Sequence, residues 1–126
     1  MHEVGTLIEL RAWHVMPGVE GPEGHRHVHD YRIEVRLERE ALDERGMVCD
    51  LDVLDAAVGE IADLVRDADL DDVLRPQDDA AVTVEVFAHW FHAALCGTAR
   101  DAGVDRLGVR VWESPVAFGG YLAPVS

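Results

Sequence analysis

The sequence predicts an α+β domain in which an antiparallel sheet carries helices on one face. Three observations support this prediction: apolar and polar residues alternate along two N-terminal stretches, the period becomes helical from Leu51, and alternation returns from residue 104. A chain of 126 residues is long enough for one core of this kind, so we expect a single domain over residues 1–126.

The first two predicted strands are recognised because apolar residues recur at every second position. In residues 4–16, one face carries Ile8, Leu10, Ala12 and His14. In the second stretch, one face carries His27, His29, Tyr31, Ile33, Val35 and Leu37, and the opposite face is charged. Because successive side chains of a strand point to opposite faces, each stretch is predicted to be a long strand with one buried face.

The helical region is predicted to follow a turn at 43–46 and a brief strand at 47–50, where Asp50 is a candidate N-cap. The first helix should run from Leu51 to about residue 67. Its apolar stripe consists of Leu51, Leu54, Val58, Ile61 and Val65. The segment Asp67–Asp79 contains six aspartates and Pro76, which predicts a solvated loop or a broken turn rather than core.

A second helix is predicted to begin after Thr83, a candidate N-cap, and to end near Gly103. Its inward face carries Phe87, Ala88, Phe91 and Leu95. His89 and His92 lie on the side away from the phenylalanines, so we expect both to face solvent. Residues 104–114 alternate again, with Leu107, Val109, Val111 and Glu113 on one face, and a last short strand is expected through Tyr121.

Composition excludes several classes of function. With 25 acidic and 11 basic residues, the formal charge of −14 repels nucleic acid and anionic membrane surfaces. All basic residues are arginine, so Schiff-base chemistry and a phosphate-loop lysine are excluded. There is no signal-peptide pattern and no apolar run that could cross a bilayer, so we expect a cytoplasmic protein. Cys49 and Cys96 lack metal-binding or disulfide spacing and are predicted to be buried thiols.

The histidines suggest a metal site. His14 ends the apolar face of the first strand, and His27 and His29 begin that of the second. In an antiparallel pair these positions are neighbours, and three neutral imidazoles with an open fourth position are typical of catalytic zinc. The alternative is that these histidines are exposed polar residues, and His25, which shares the spacing, could replace one of the pair.

Glu113 ends the apolar face of the third strand, where a carboxylate is costly unless it binds a donor. Such a glutamate can accept two charge-assisted hydrogen bonds from an amino-pyrimidinone ring. A glutamate at the edge of the sheet with no ligand is the alternative.

Five motifs, in order along nearly the whole chain, resemble those of the 6-pyruvoyltetrahydropterin synthase and 6-carboxytetrahydropterin synthase family. LRAWH, ending in His14, is similar to aromatic-x-Ala-Ala-His, and HVHDY to His-Gly-His-Asn-Tyr. RGMVCDLDVL resembles the Gly-Met-Val-x-Asp-Phe stretch before the first helix, and VTVEVFAHW the Pro-Thr-x-Glu start of the second. VWES is similar to Val-x-Glu-Thr.

This resemblance implies the tunnelling fold, a four-stranded antiparallel sheet backed by two helices, whose subunits join edge to edge into a barrel as trimers or hexamers. It further implies that Zn²⁺ is held by His14, His27 and His29. A pterin-like ring would be anchored by Glu113, with Ser114 where the family has threonine.

The catalytic residues differ from the family pattern. Glu23 stands where synthases place a cysteine four residues before the histidine pair, and one branch of the family uses a glutamate one residue nearer. Asp69 matches the aspartate of an Asp-His pair, but Leu70 replaces its histidine, and Asp30 replaces the asparagine of the second motif. Glu23 and Asp69 are therefore the candidates for proton transfer.

The expected function is that of a zinc-dependent lyase or aldolase-type enzyme acting on a pterin or a related heterocycle. One alternative is a diverged zinc enzyme that acts on another small carbonyl compound. Another is a non-catalytic, pterin-binding oligomeric module in which the zinc is structural.

Overall fold

The computed structural model describes residues 1–77 and 80–125. The strands are β1 (His2–His14), β2 (His27–Arg39), β3 (Arg106–Trp112) and β4 (Phe118–Pro124). The helices are α1 (Leu51–Val65), α2 (Leu70–Leu74) and α3 (Val84–Asp101), and a short 3-10 helix spans Pro22–Gly24. The strands form one antiparallel sheet in the order β1-β2-β3-β4, and the helices pack on one face, which confirms the predicted fold class.

The pairing of β1 with β2 sets the geometry of one end of the molecule. Ile8 lies opposite Ile33, and the ladder continues until His14 lies opposite His27. β1 ends at His14, two residues before the predicted boundary, because the next backbone N–H, that of Val15, donates to the Asp71 carboxylate at 3.0 Å.

The core lies between the sheet and the long helices. Both predicted N-caps are present: the Asp50 carboxylate accepts from the Asp52 N–H, and the Thr83 hydroxyl accepts from the Val86 N–H. The predicted inward residues of α3 are all buried, namely Phe87, Ala88, Phe91 and Leu95. In α1 the buried stripe is rotated from the predicted one, because Ala62 is buried whereas Leu51 is 44% exposed.

Three local predictions are wrong. The segment predicted as a solvated loop or a broken turn outside the core contains α2, whose Leu70 is fully buried in the core. Asp78 and Asp79 of that segment lie outside the described residues. Residues 47–50 are irregular, with bends at Val48 and Cys49, and form no strand. His92 is only 5% exposed because Tyr121 of β4 covers it, with the ring centroids 4.8 Å apart, whereas His89 is exposed as predicted.

Cys49 is buried as predicted, Cys96 is partly buried, and both are free thiols. Among the described residues, no helix is both long and apolar enough to span a membrane.

Candidate metal centre and adjoining cavity

Three histidine rings meet where β1 ends and β2 begins. His14 and His27 are partners in the ladder, and His29 lies two residues further along the same face of β2. The ring centroid of His14 lies 4.4 Å from that of His27 and 5.1 Å from that of His29. One ring nitrogen from each residue lies within 4.8 Å of the other two. In the described part of the chain, this is the one such group of three or more metal-ligating side chains.

Hydrogen bonds to backbone carbonyls determine which nitrogen faces the neighbouring rings in two of the three histidines, His14 and His27. Nδ1 of His14 lies 3.0 Å from the Val82 carbonyl, and Nδ1 of His27 lies 2.8 Å from the His25 carbonyl. Because a carbonyl only accepts, each Nδ1 must donate its proton, which leaves Nε2 as the nitrogen with a free lone pair. A ring N–H bonded to a carbonyl in this way is the usual support of a metal-ligating histidine.

The Nε2 atoms fit a metal ion. Nε2 of His14 is buried and has no hydrogen-bond partner, a state that is costly without a ligand. Nε2 of His27 lies 3.1 Å from Nε2 of His29, close to the separation of about 3.3 Å between two nitrogens on a tetrahedral zinc ion. Burial lowers the pKa of His14 and outweighs the opposing effect of the Val82 carbonyl, so this imidazole favours the neutral, ligating form.

His25, the alternative ligand, does not join this group. His25 is exposed, and it directly follows the 3-10 helix instead of lying in β2. Its carbonyl, not its ring, contacts His27.

A cavity of about 200 Å³ adjoins the three histidines. Its lining includes His14, His29, Glu23, Glu113, Thr83 and Glu85. The structure therefore brings two of the predicted ligands together with the predicted anchor and one predicted proton-transfer residue. A cavity of about 430 Å³ between α1 and α3, at the opposite end of the sheet, contains none of the predicted site residues.

Glu113 directly follows β3 and is exposed in the single chain. Its backbone N–H donates to the Ala117 carbonyl at 3.3 Å, and the Ser114 hydroxyl accepts from the N–H groups of Val116 and Ala117. Ser114 does not line the cavity; its hydroxyl stabilises the turn that presents Glu113.

Glu23 reaches the cavity on the segment 15–26, which we call the Glu23 loop. The Glu23 carbonyl accepts from the Met16 N–H at 2.9 Å, so the loop closes on itself. Gly24 is required there, because a Cβ atom at this position would lie 1.9 Å from the Val19 carbonyl oxygen. The position of Glu23 therefore depends on loop contacts rather than on the sheet.

Asp69 lies beside the centre but does not line the cavity. One carboxylate oxygen accepts from the Asp71 N–H at 3.1 Å and caps α2, and the other accepts from Arg26 Nε at 2.9 Å. The Arg26 guanidinium also lies 4.3 Å from the centre of the Trp13 ring. Asp69 thus connects α2 to the end of the Glu23 loop.

Two residues near the site escaped the sequence analysis. Asp71 binds the Val15 N–H immediately after His14, and burial raises the pKa of its carboxyl more than this hydrogen bond lowers it. Glu85, in the first turn of α3, lines the cavity. The acidic run around residue 70 and the VTVE motif contain these residues, but neither pattern indicates which carboxylate turns toward the histidines.

Comparison with known proteins identifies the family and the fold of the chain. The profile of the family described as 6-pyruvoyl tetrahydropterin synthase matches residues 4–123. The search of the curated proteins found no match.

Several solved structures share the fold. The Caenorhabditis elegans 6-pyruvoyl tetrahydropterin synthase superposes with a TM-score of 0.78 at 19% identity, over 97% of this chain and 95% of that chain. The Plasmodium vivax synthase gives 0.73 at 13% identity, over 98% and 99%. An uncharacterized Wolinella succinogenes protein gives 0.73 at 16% identity, over 95% and 97%. A glutamate-to-cysteine variant of the Plasmodium vivax protein is described as a catalytic residue mutant.

Proposed function

Because the chain belongs to the 6-pyruvoyl tetrahydropterin synthase family, we propose that it is a zinc-dependent lyase or aldolase-type enzyme that acts on a pterin or a related fused heterocycle. One observation carries the proposal: the buried, unpartnered Nε2 of His14 faces the other two histidines beside a cavity that also holds Glu23 and Glu113.

The proposed ligands are Nε2 of His14, His27 and His29. When bound, zinc supplies Lewis-acid stabilisation of negative charge on a substrate oxygen. The chain contributes the orientation of the rings, because the carbonyls of Val82 and His25 hold two of the Nδ1–H groups.

Glu113 is the proposed anchor for the heterocycle. Its carboxylate can accept two parallel hydrogen bonds from the amino group and the adjacent ring N–H of a pterin. The proposed contribution of Ser114 to substrate binding is indirect, through the turn that holds Glu113.

Glu23 is the proposed proton-transfer group. The reaction requires a proton to move between adjacent side-chain carbons of the substrate, and Glu23 is the carboxylate that the Glu23 loop brings into the cavity. The catalytic glutamate of the Plasmodium vivax synthase is consistent with this role. Asp69, whose two oxygens already accept hydrogen bonds, would act by holding Arg26; direct proton transfer by Asp69 stays a prediction.

We also propose a homo-oligomer, a trimer or a hexamer, formed through the free edges of β1 and β4. Apolar side chains remain exposed near both edges in the single chain, including Leu7 at 51% and Phe118 at 48%. A cytoplasmic location stays a prediction.

A diverged enzyme acting on another small carbonyl compound is the second candidate. Leu70 favours it, because this fully buried leucine occupies the position of the family's catalytic histidine. In addition, neither cysteine lines the cavity.

The test combines metal analysis with turnover of a panel of dihydropterins by the purified protein. We expect about one zinc per chain, and a loss of about 10²- to 10⁴-fold in kcat in Glu23→Gln with the zinc retained. Glu20→Gln, an exposed carboxylate on the same loop, is the matched control and should retain activity. Zinc without turnover of any pterin would favour the second candidate or a structural metal, and absence of zinc would contradict both.

A further inference from the structure

The cavity of about 430 Å³ between α1 and α3, which we call the α1–α3 cavity, lies at the end of the molecule away from the histidines. Leu37 and Leu107, which line it, are partners on the two central strands. The cavity therefore lies over the middle of the sheet, and the contacts proposed between copies at the free edges of β1 and β4 lie elsewhere.

The floor of the α1–α3 cavity is apolar. It consists of side chains that belong to the buried core, namely Leu37, Leu54, Leu95, Ala99 and Leu107. Small-molecule sites in proteins have volumes of about 300–1,000 Å³, and apolar walls with a few polar groups that orient the ligand. The α1–α3 cavity has the volume and the apolar floor of such a site.

The rim of the same cavity is acidic. Asp43, Asp50 and Asp101 line it, and none of its described lining residues is arginine, lysine or histidine. Arg39 does not line the cavity, because its guanidinium donates to the carbonyls of Val48 and Ala102. The charge at the rim therefore favours a cation over an anion.

The three carboxylates differ in how far they are already engaged. Asp43 accepts from the Met47 N–H at 2.9 Å and holds its own loop, and Asp50 accepts from the Asp52 N–H at 2.9 Å and caps α1. Asp101 ends α3 and has no ion-pair partner in the described part of the chain. The end of a helix is the negative end of its dipole, which also favours a cation there.

From this arrangement we propose that the α1–α3 cavity is a second binding site, separate from the histidines, for a small amine with an apolar body. The body contacts the leucine floor, and the ammonium group lies at the rim beside Asp101. This inference does not depend on the proposed function, because the two sites share no residue.

Three compounds of similar size and different charge test the proposal: 2-phenylethylamine, 2-phenylethanol and 3-phenylpropionate. We expect the amine to bind the purified protein with a Kd of about 1 mM. It should bind about fivefold more tightly than the alcohol at about 50 mM salt, and the propionate should bind most weakly; the difference should shrink at about 500 mM salt.

Leucine methyl NMR spectra locate the binding as well as measuring it. Signals of Leu54 and Leu95 should shift with the amine, and those of Leu10, towards the histidine end of β1, should stay in place. Asp101→Asn should weaken binding of the amine by about threefold and leave that of the alcohol unchanged. Asp55→Asn, an exposed carboxylate of α1 outside the lining, is the matched control.

A variant that fills the space provides an independent test. Thr98→Trp, at a partly buried position of the lining, should abolish binding of both the amine and the alcohol. Ala93→Trp adds the same side chain at an exposed position of α3 outside the lining and should bind both compounds as the unmodified chain does.

Three results would overturn the inference. The first is that the Leu54 and Leu95 signals do not shift at about 10 mM amine, well above the expected Kd. The second is that the alcohol or the propionate binds as tightly as the amine at low salt, which would assign the cavity to another class of ligand. The third is that the same signals shift with protein concentration alone, which would mean that a second copy of the chain covers the cavity. The proposed function stands in each case, because zinc binding and turnover are measured at the other end of the molecule.

Discussion

The site is assembled from two regions that are built differently. The ends of β1 and β2 carry the three histidines, each in the register of a continuous antiparallel ladder. The Glu23 loop is largely exposed and is held by a few backbone hydrogen bonds, such as that from Met16 to Glu23, and by the contacts of Arg26. A ladder places a side chain on one face or the other, whereas loop contacts allow small displacements. Metal binding should therefore tolerate changes that disturb proton transfer.

The largest effect should come from removing a ligand on the ladder. We expect His27→Ala to reduce the zinc content from about one per chain to near zero, because two imidazoles alone leave a tetrahedral zinc site half empty. His25→Ala is the matched control: its ring lies outside the group, and its backbone carbonyl remains in place. Elemental analysis after dialysis measures both. If His27→Ala keeps its full zinc content while circular dichroism shows an intact fold, His27 is not a zinc ligand and the proposed three-histidine site is wrong.

A smaller effect should follow when the loop is displaced while the ladder is untouched. In Gly24→Ala the new Cβ would lie 1.9 Å from the Val19 carbonyl oxygen, so the backbone must move and Glu23 must move with it. We expect a loss of about 100-fold in kcat with zinc content unchanged, since misplacement by about 1 Å has that effect on positioned groups.

Gly59→Ala provides the comparison for this loop variant, because no neighbouring atom lies within 4 Å of the Cβ that it would add on α1. Steady-state kinetics and zinc analysis of both variants test the separation of the two regions. A parallel loss of zinc and turnover in Gly24→Ala would mean that the loop and the ladder form one unit.

The sequence was sufficient for the ladder because a strand encodes its faces in a period of two. Alternation around Ile8 and Ile33 identified the buried faces, and antiparallel pairing then allowed His14 to lie near His27 and His29, which the observed register shows. The family resemblance led to the same ligands. The burial of His92 was missed for the opposite reason, because β4, which covers it, is distant in sequence and no local pattern on α3 indicates it.

The acidic segment illustrates the same limit. Its aspartates suggested a solvated loop, yet α2 packs against β1 and buries Leu70 completely, since tertiary packing outweighs composition. The conformation of the Glu23 loop could not be predicted either. The contact between Arg26 and Asp69 joins residues far apart in the chain, and no periodicity encodes it.

The smallest effect should come from breaking the contact between Arg26 and Asp69, which holds the end of the Glu23 loop. The Arg26–Asp69 pair is short at 2.9 Å, but the Arg26 side chain is 53% exposed. An exposed pair of this kind contributes about 0–1 kcal/mol, and stacking over Trp13 adds about 0.5–1 kcal/mol. We therefore expect Arg26→Ala to lower kcat by about 3- to 10-fold by loosening the Glu23 loop, with zinc content unchanged.

Arg11→Ala is the matched control for this variant, because it removes an exposed arginine from a comparable pair with Asp30 at 3.2 Å on the neighbouring strands. If Arg26 acts through Asp69, then Asp69→Asn should add little to the loss of kcat in Arg26→Ala, and the double-mutant cycle should be strongly non-additive. Independent, additive losses would instead assign Asp69 a role of its own, such as the proton transfer that the sequence predicted.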